Sequence, residues 1–267
     1  MLKISVSTLL IALLCAFIIP GGSNNQFRVI PNTSFIRGEV IEYKAHYGFV
    51  NAATGTMVIN DDIYTIKGRP CYKIDVYGRS TGMLDLFMRI RDNWGTYLDT
   101  AAIITQKSYR LIEEGKYRKN EVVNFDQINK VARVKTFDNK KEQWRPEETY
   151  EIPPNVQDIV SGYYYLRTLK FDTLNNGDII EIDAFFDDEV YDFKVRFIGR
   201  EMIKTKLGEI RSVILAPIMP DNDLFEGENS VKVWISDDLN KVPLKIKAEM
   251  FVGAVEIDIQ SYKKGNN

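Results

Sequence analysis

From Phe27 onward the apolar residues recur with a period of two, and this alternation constrains the fold more than any other feature. Glu39, Ile41, Tyr43, Ala45, Tyr47 and Phe49 fall on one face of a first strand, and Val40, Glu42, Lys44 and His46 on the other. A period of two sends successive side chains to opposite faces of a strand, whereas a helix repeats every 3.6 residues. Similar runs return at 57–60, 72–78, 103–111, 116–125, 130–137, 190–198, 209–217, 231–235, 242–250 and 255–262. So many strands at short spacing predict a mainly β chain of α+β type. Its large, curved antiparallel sheets would form a partial barrel or sandwich.

Two segments depart from the alternation. Pro154 suits the first turn of a helix, and Val156, Ile159, Val160, Tyr163 and Leu166 follow at spacings of three and four. This pattern predicts one central helix over 154–169, packed on the sheet. The apolar stretch 81–88 predicts a helical turn. The halves also resemble each other, since Gly38–Tyr47 aligns without a gap on Gly177–Phe186, an offset of 177 − 38, or 139 residues. We therefore expect two pseudo-repeats, 38–150 and 177–262, joined through the helix within a single domain over 24–267.

The first 23 residues read as an export signal. Lys3 precedes an apolar run, Leu9 to Ile19, and then Pro20-Gly21-Gly22-Ser23, so cleavage is expected after Ser23. The run is about half the ~20 residues needed to cross a bilayer, which leaves no transmembrane anchor after cleavage. The expected destination is the periplasm or cell envelope. Lipidation at Cys15 is disfavoured, because Leu14 precedes it and Cys15 lies inside the run. Cys71 would be the sole thiol of the mature chain, in the role of a small buried hydrophobe.

Charge and residue counts remove several classes of function. With 35 Lys+Arg against 37 Asp+Glu, a net charge of −2, no cationic excess is available to neutralise phosphates, so no nucleic-acid partner is expected. One His and two Cys exclude a His-rich metal centre, a zinc ribbon and a disulfide framework. No metal site and no cofactor is expected. His46 aligns with Phe185 across the repeat and reads as a surface residue. The acidic pairs Asp187-Asp188, Asp237-Asp238 and Glu147-Glu148 keep open a hydrolase working through two carboxylates, although the Asp pairs also suit turns.

Aromatic residues, 14 Phe, 14 Tyr and 3 Trp, are the most distinctive part of the composition. Tyr163-Tyr164-Tyr165 on a helix, at steps of ~100°, cannot all face one core. The candidate ligand-binding residues are Leu84, Phe87 and Met88 in the 81–88 stretch, Tyr164, Tyr165 and Arg167 on the central helix, and Trp234. For Arg167 we favour an anchoring role, with its five donors meeting a carboxylate or carbonyls of the sheet.

Four motifs, taken together in order, add a family. They are Phe35-x-x-Gly38-Glu39-x-x-x-Tyr43, Asp158-x-x-Ser161-x-x-Tyr164-x-Leu166-Arg167, Thr205-x-x-Gly208, and Trp234-Ile235-Ser236-Asp237-Asp238 with Val242-Pro243. With the N-terminal signal, they make the chain from about Phe35 to Tyr262 resemble the bacterial exported family called domain of unknown function 3108. The resemblance implies no established activity. It implies a plan similar to the curved half-barrels of periplasmic lipoprotein and lipid carriers. The expected function is a non-catalytic exported envelope protein that binds an apolar or amphipathic ligand, such as a lipid, or another envelope protein. The alternatives are an envelope hydrolase and a structural subunit.

Overall fold

The computed structural model describes residues 27–218, 229–250 and 253–266. The expected signal segment, its cleavage point and Cys15 lie outside the described residues. Among the described residues, fifteen strands make one antiparallel sheet. The first nine are β1 (Val40–Tyr47), β2 (Val50–Ile66), β3 (Arg69–Ser80), β4 (Arg91–Asp99), β5 (Thr105–Glu114), β6 (Tyr117–Asp126), β7 (Val131–Asp138), β8 (Gln143–Trp144) and β9 (Glu148–Glu151). After the central helix come β10 (Ile179–Phe186), β11 (Glu189–Thr205), β12 (Gly208–Pro217), β13 (Val231–Ser236), β14 (Pro243–Glu249) and β15 (Ala254–Lys263). The order is β10-β11-β12-β13-β14-β15-β1-β2-β3-β4-β5-β6-β7-β8, and β9 also pairs with β7. Two meanders thus meet where β15 pairs with β1.

An open sheet of this length must curl to bury its apolar face, and bulges supply the bends. Register shifts lie at Glu42/Tyr43, Ala45/His46, Ile59/Ile63, Tyr97/Leu98, Phe197/Gly199 and Trp234/Ile235. The curl brings the β10 end of the sheet against β4–β7. Phe185 packs on Phe125 and Tyr150, and Phe186 stacks on Trp94 at 5.8 Å. Asp187 meets Arg110 at 3.1 Å and Lys119 at 2.6 Å. A short parallel bridge, Gln157 to Ala184, ties the chain entering the helix to the β10 edge. The result is one curled, barrel-like sheet.

The alternation places most strands to within a residue or two, but three of them, β2, β3 and β11, are much longer than their runs. The apolar run 57–60 lies inside the 17-residue β2, where Asn60-Asp61-Asp62 falls at the bulge and interrupts the pattern. β4 was missed because Arg91-Asp92-Asn93 opens it with polar residues. The central helix is also shorter than 154–169 and runs Ile159–Leu166. Asp158, not Pro154, starts it. The Asp158 carboxylate accepts from the Val160 and Ser161 amides at 2.8 and 3.0 Å, and the Asp158 amide donates to Ser161 Oγ at 2.8 Å, a reciprocal capping box. Upstream, Gln157 is committed to the sheet edge, with its amide donating to the Asp183 carbonyl at 2.9 Å. The helical turn expected over 81–88 is a short helix, Gly82–Phe87.

Four clusters fill the interior. Phe35, Ile59, Ile74, Leu98 and Ile103 receive Val160 and Tyr164 of the central helix. Val123, Phe125, Val134, Ile152 and Phe185 close the seam. Phe171, Val195, Phe197, Leu215 and Ile235 underlie the second meander, and Ile41, Tyr43, Val242, Leu244 and Ile259 lie where the meanders join. The two meanders begin alike. β1 and β10 have eight residues each and β2 and β11 seventeen, and their starts are 139 apart (179 − 40 and 189 − 50). The Gly38 amide donates to the Ile59 carbonyl, and the Gly177 amide to that of Phe197, each at 2.9 Å.

Candidate binding surface

Residues of three of the sequence motifs, among them Phe35, Glu39, Tyr43, Tyr164, Arg167 and Pro243, converge on one buried knot at the end of the helix. Arg167 closes the helix and is 0% exposed. Its guanidinium donates to both oxygens of Glu39, at 2.6 and 2.8 Å, and to the carbonyls of Asn240 and Ser34, at 2.9 and 3.2 Å. Phe35 and Tyr164 flank it, each ring centroid 5.2 Å away. Burial alone would lower its pKa, but the Glu39 hydrogen bonds and charge outweigh that effect and raise it. Ser34 Oγ donates to the Arg167 carbonyl at 2.7 Å, and the Tyr43 hydroxyl to the Pro243 carbonyl at 3.0 Å. The knot fastens the helix to β1 and to the β13–β14 hairpin. No donor of Arg167 is open to a ligand, and Tyr164, also 0% exposed, is part of the core rather than of a site.

The other candidates fall apart in space. Trp234 is 8% exposed and gives its indole N–H to Glu201. It lines an open cleft of about 380 Å³ in which four lysines, Lys204, Lys232, Lys245 and Lys247, alternate with Glu201, Glu249 and Glu256, a surface of mixed charge. Tyr165 lines a smaller cleft of about 170 Å³, with Arg28 over its ring at 4.8 Å. At the seam a cavity of about 20 Å³, bordered by Arg110, Asp158 and Phe185, has room for a single water.

The groups weighed for chemistry are engaged elsewhere. His46 is not a free surface residue, as its Nε2 lies 2.8 Å from Asp258 and its Nδ1 2.9 Å from the Gly48 carbonyl. The Asp258 hydrogen bond raises its pKa. Among the described residues, His46, Glu256 and Asp258 bring possible metal-ligating atoms within 4.8 Å of one another. The Lys245 ammonium already pairs with Glu256 and lies 3.7 Å from Asp258, so a cation occupies that place. Cys71 is buried, and desolvation pushes its thiol up to about 12. Of the acidic pairs, Asp187 is held by Arg110 and Lys119, and Asp237 by Arg200 and Arg211. Asp238 accepts from the turn amides of Asn240 and Lys241.

Among the described residues, what remains without a protein partner is an apolar end of the barrel. Alternate connections of an antiparallel sheet emerge at the same end, here the β1–β2 turn, the short helix after β3 and the β5–β6 turn. The Thr81 amide donates to the Ala52 carbonyl at 2.8 Å, and the Gly115 amide to the Arg89 carbonyl at 2.9 Å, so the three connections touch. Phe49 is 106% exposed, Leu86 84% and Phe87 82%, with Val50, Met83 and Met88 exposed beside them. Phe87 and Met88 therefore belong to an outward surface and do not line a pocket, and Leu84 beside them is half-buried. Phe49, assigned by alternation to the face of Ile41 and Tyr43, leaves that face because β1 ends at Tyr47 and Gly48 turns the chain at φ +55°. That glycine is the signal that would have placed it at a tip. Isolated exposed apolar residues are ordinary, but a contiguous group marks an interaction surface or an aggregation risk.

Comparison with known proteins supports the architecture. A β-barrel-like protein of domain of unknown function DUF1849 from Brucella abortus matches with a TM-score of 0.53 and 11% identity, over 90% of this chain and 100% of that one. A "putative lipoprotein" from Parabacteroides distasonis matches with a TM-score of 0.33 and 10% identity, over 89% of this chain and all of that one. A "putative exported protein with YmcC-like fold" from Bacteroides fragilis gives 0.31 and 10%, over 90% and 100%. No curated protein sequence matches. No helix among the described residues is long and apolar enough to cross a membrane. The family model described as "Protein of unknown function (DUF3108)" matches residues 42–260, and the chain belongs to that family.

Proposed function

We propose that this is a non-catalytic exported envelope protein, a single domain of two related meanders, that binds an apolar or amphipathic partner at the end of its barrel. The observation that carries the reading is the contrast between a filled interior and a bare apolar end. The central helix occupies the space in which a half-barrel carrier would hold its cargo. Phe49, Met83, Leu86 and Phe87 instead face outward. Covering each would contribute about 1.5 to 3 kcal/mol, a gross gain large enough to drive association.

Methionine methyl NMR tests the reading, because Met83 and Met88 lie in the surface, Met57 packs against the core, and Met202 is exposed in β11. On titration with dodecylphosphocholine below its micelle concentration, the Met83 and Met88 signals should shift and those of Met57 and Met202 should stay. Equal shifts at Met202, or none at Met83 and Met88, would show the reading to be wrong.

A further inference from the structure

Building on the reading of the apolar end as a binding surface, we infer that its partner is the surface of an anionic lipid bilayer. The short helix and the β1–β2 turn present Phe49, Met83, Leu86 and Phe87 at the tip, a set that suits shallow insertion among acyl chains. Behind them the β5–β6 turn carries Tyr117, 56% exposed, between Lys116 and Arg118. Tyrosine beside an apolar surface sits well at headgroup level, where its ring is covered and its hydroxyl stays wet.

The charges behind the tip point the same way. Arg89 and Lys116 are exposed and form no ion pair among the described residues. Arg118 is exposed and donates only to the Gly115 and Tyr117 carbonyls. The nearest acid, Asp85, is taken by Arg91 at 2.7 Å and by Ser80, and Asp92 accepts from the Glu113 amide at 3.0 Å. Asp187 offsets Lys119. Exposed acids also lie on this rim, Glu113 and Glu114 at the end of β5 and Glu142, Asp188 and Glu189 at the β7–β8 and β10–β11 connections. A chain of net charge −2 thus places three cations without an ion pair among the described residues, Arg89, Lys116 and Arg118, directly behind its bare apolar residues. That sequence of apolar tip, aromatic shoulder and basic collar matches the layering of an anionic membrane surface.

Flotation of the purified protein with vesicles tests the inference. Palmitoyl-oleoyl-phosphatidylglycerol mixed with phosphatidylcholine should carry the protein upward, and phosphatidylcholine alone should do so more weakly. Phe49→Ser/Leu86→Ser/Phe87→Ser should abolish flotation on both. Arg89→Gln/Lys116→Gln should weaken binding to the anionic vesicles by about fivefold per charge and leave the neutral ones unaffected. Thermal midpoints matching the parent would show that these exposed changes leave the fold intact. Equal binding to both vesicle types, or undiminished flotation of the triple serine variant, overturns the inference. So does a dimer in sedimentation velocity that the triple variant removes, since a second copy would then be the occupant. If vesicles are not bound while Met83 and Met88 still respond to dodecylphosphocholine, the lipid-surface inference fails and the broader reading stands. If neither responds, both fail.

Discussion

Truncating Arg167 to alanine removes more than one ion pair. The change deletes both hydrogen bonds to Glu39 and those to the Ser34 and Asn240 carbonyls. Glu39, 1% exposed, is left with the Tyr262 hydroxyl at 3.4 Å as its remaining side-chain donor. Breaking a buried pair by removing one partner typically costs about 3 to 5 kcal/mol, because the other charge stays buried without compensation. The complete burial on both sides of this pair places the expected loss within that range. For a chain of this size the urea slope is about 3 kcal/mol per M, so the midpoint should fall by roughly 1 to 1.7 M. The double variant Arg167→Met/Glu39→Met removes both charges, and should recover most of the loss, as apolar replacements of buried pairs often do. Equilibrium urea unfolding followed by tryptophan fluorescence measures all three proteins. A midpoint for Arg167→Ala within about 0.2 M of the parent would refute the anchoring argument, since surface changes rarely exceed about 0.5 kcal/mol. A double variant no more stable than the single one would refute the assignment of the cost to a stranded Glu39.

Other expectations follow from single contacts. The Asp158 carboxyl, its pKa raised by burial, caps the helix and also accepts from Thr96 Oγ1 at 2.6 Å, so Asp158→Ala should cost about 2 kcal/mol and the neutral isostere Asp158→Asn less, read from urea midpoints. Because the raised value favours the protonated form in the folded state, Asp158 contributes most stability at acid pH and less as pH rises through its folded pKa, so the gap between parent and Asp158→Asn should shrink with pH, and a larger gap at pH 7 than at pH 4 would contradict a penalty that grows with pH. The raised pKa of His46 works in the corresponding sense for a base. Its pair with Asp258 is fully stabilising below the unfolded value of about 6.5 and is lost as pH rises through the folded value, so thermal midpoints of parent and His46→Phe should differ at pH 5.5 and converge by about pH 8.5. A gap independent of pH would contradict this. A Cβ at Gly95 would overlap the Tyr109 ring, which is held over it by Asp75, so Gly95→Ala should cost about 1 to 3 kcal/mol. Adding Tyr109→Ala should then make the Gly95→Ala step nearly neutral, and an undiminished cost in that background would contradict the overlap.

Strand content and the antiparallel plan were set locally by the sequence, because side-chain alternation depends only on the pleat of each strand. The same holds for the short helix, whose apolar stretch follows a β run, and for the need of Arg167 to find acceptors, which follows from its donors alone. Tertiary structure decided which acceptors those are. Glu39 lies 128 residues away and the Asn240 carbonyl 73, and no local pattern distinguishes them from other acids and carbonyls. Closure was also a tertiary matter, since bulges such as Ile59/Ile63 and Phe197/Gly199 set the curl that brings Phe185 to Phe125. The start of the central helix shifted from Pro154 because Gln157 found a sheet edge formed by β10, an element downstream of it. The candidate surface was half legible. Leu84, Phe87 and Met88 stood out as an apolar stretch, but hydrophobicity alone cannot say whether such residues face a pocket or solvent. That depends on which neighbours the sheet brings to them, and at this end it brings Phe49, Tyr117 and unpaired cations instead of a covering layer.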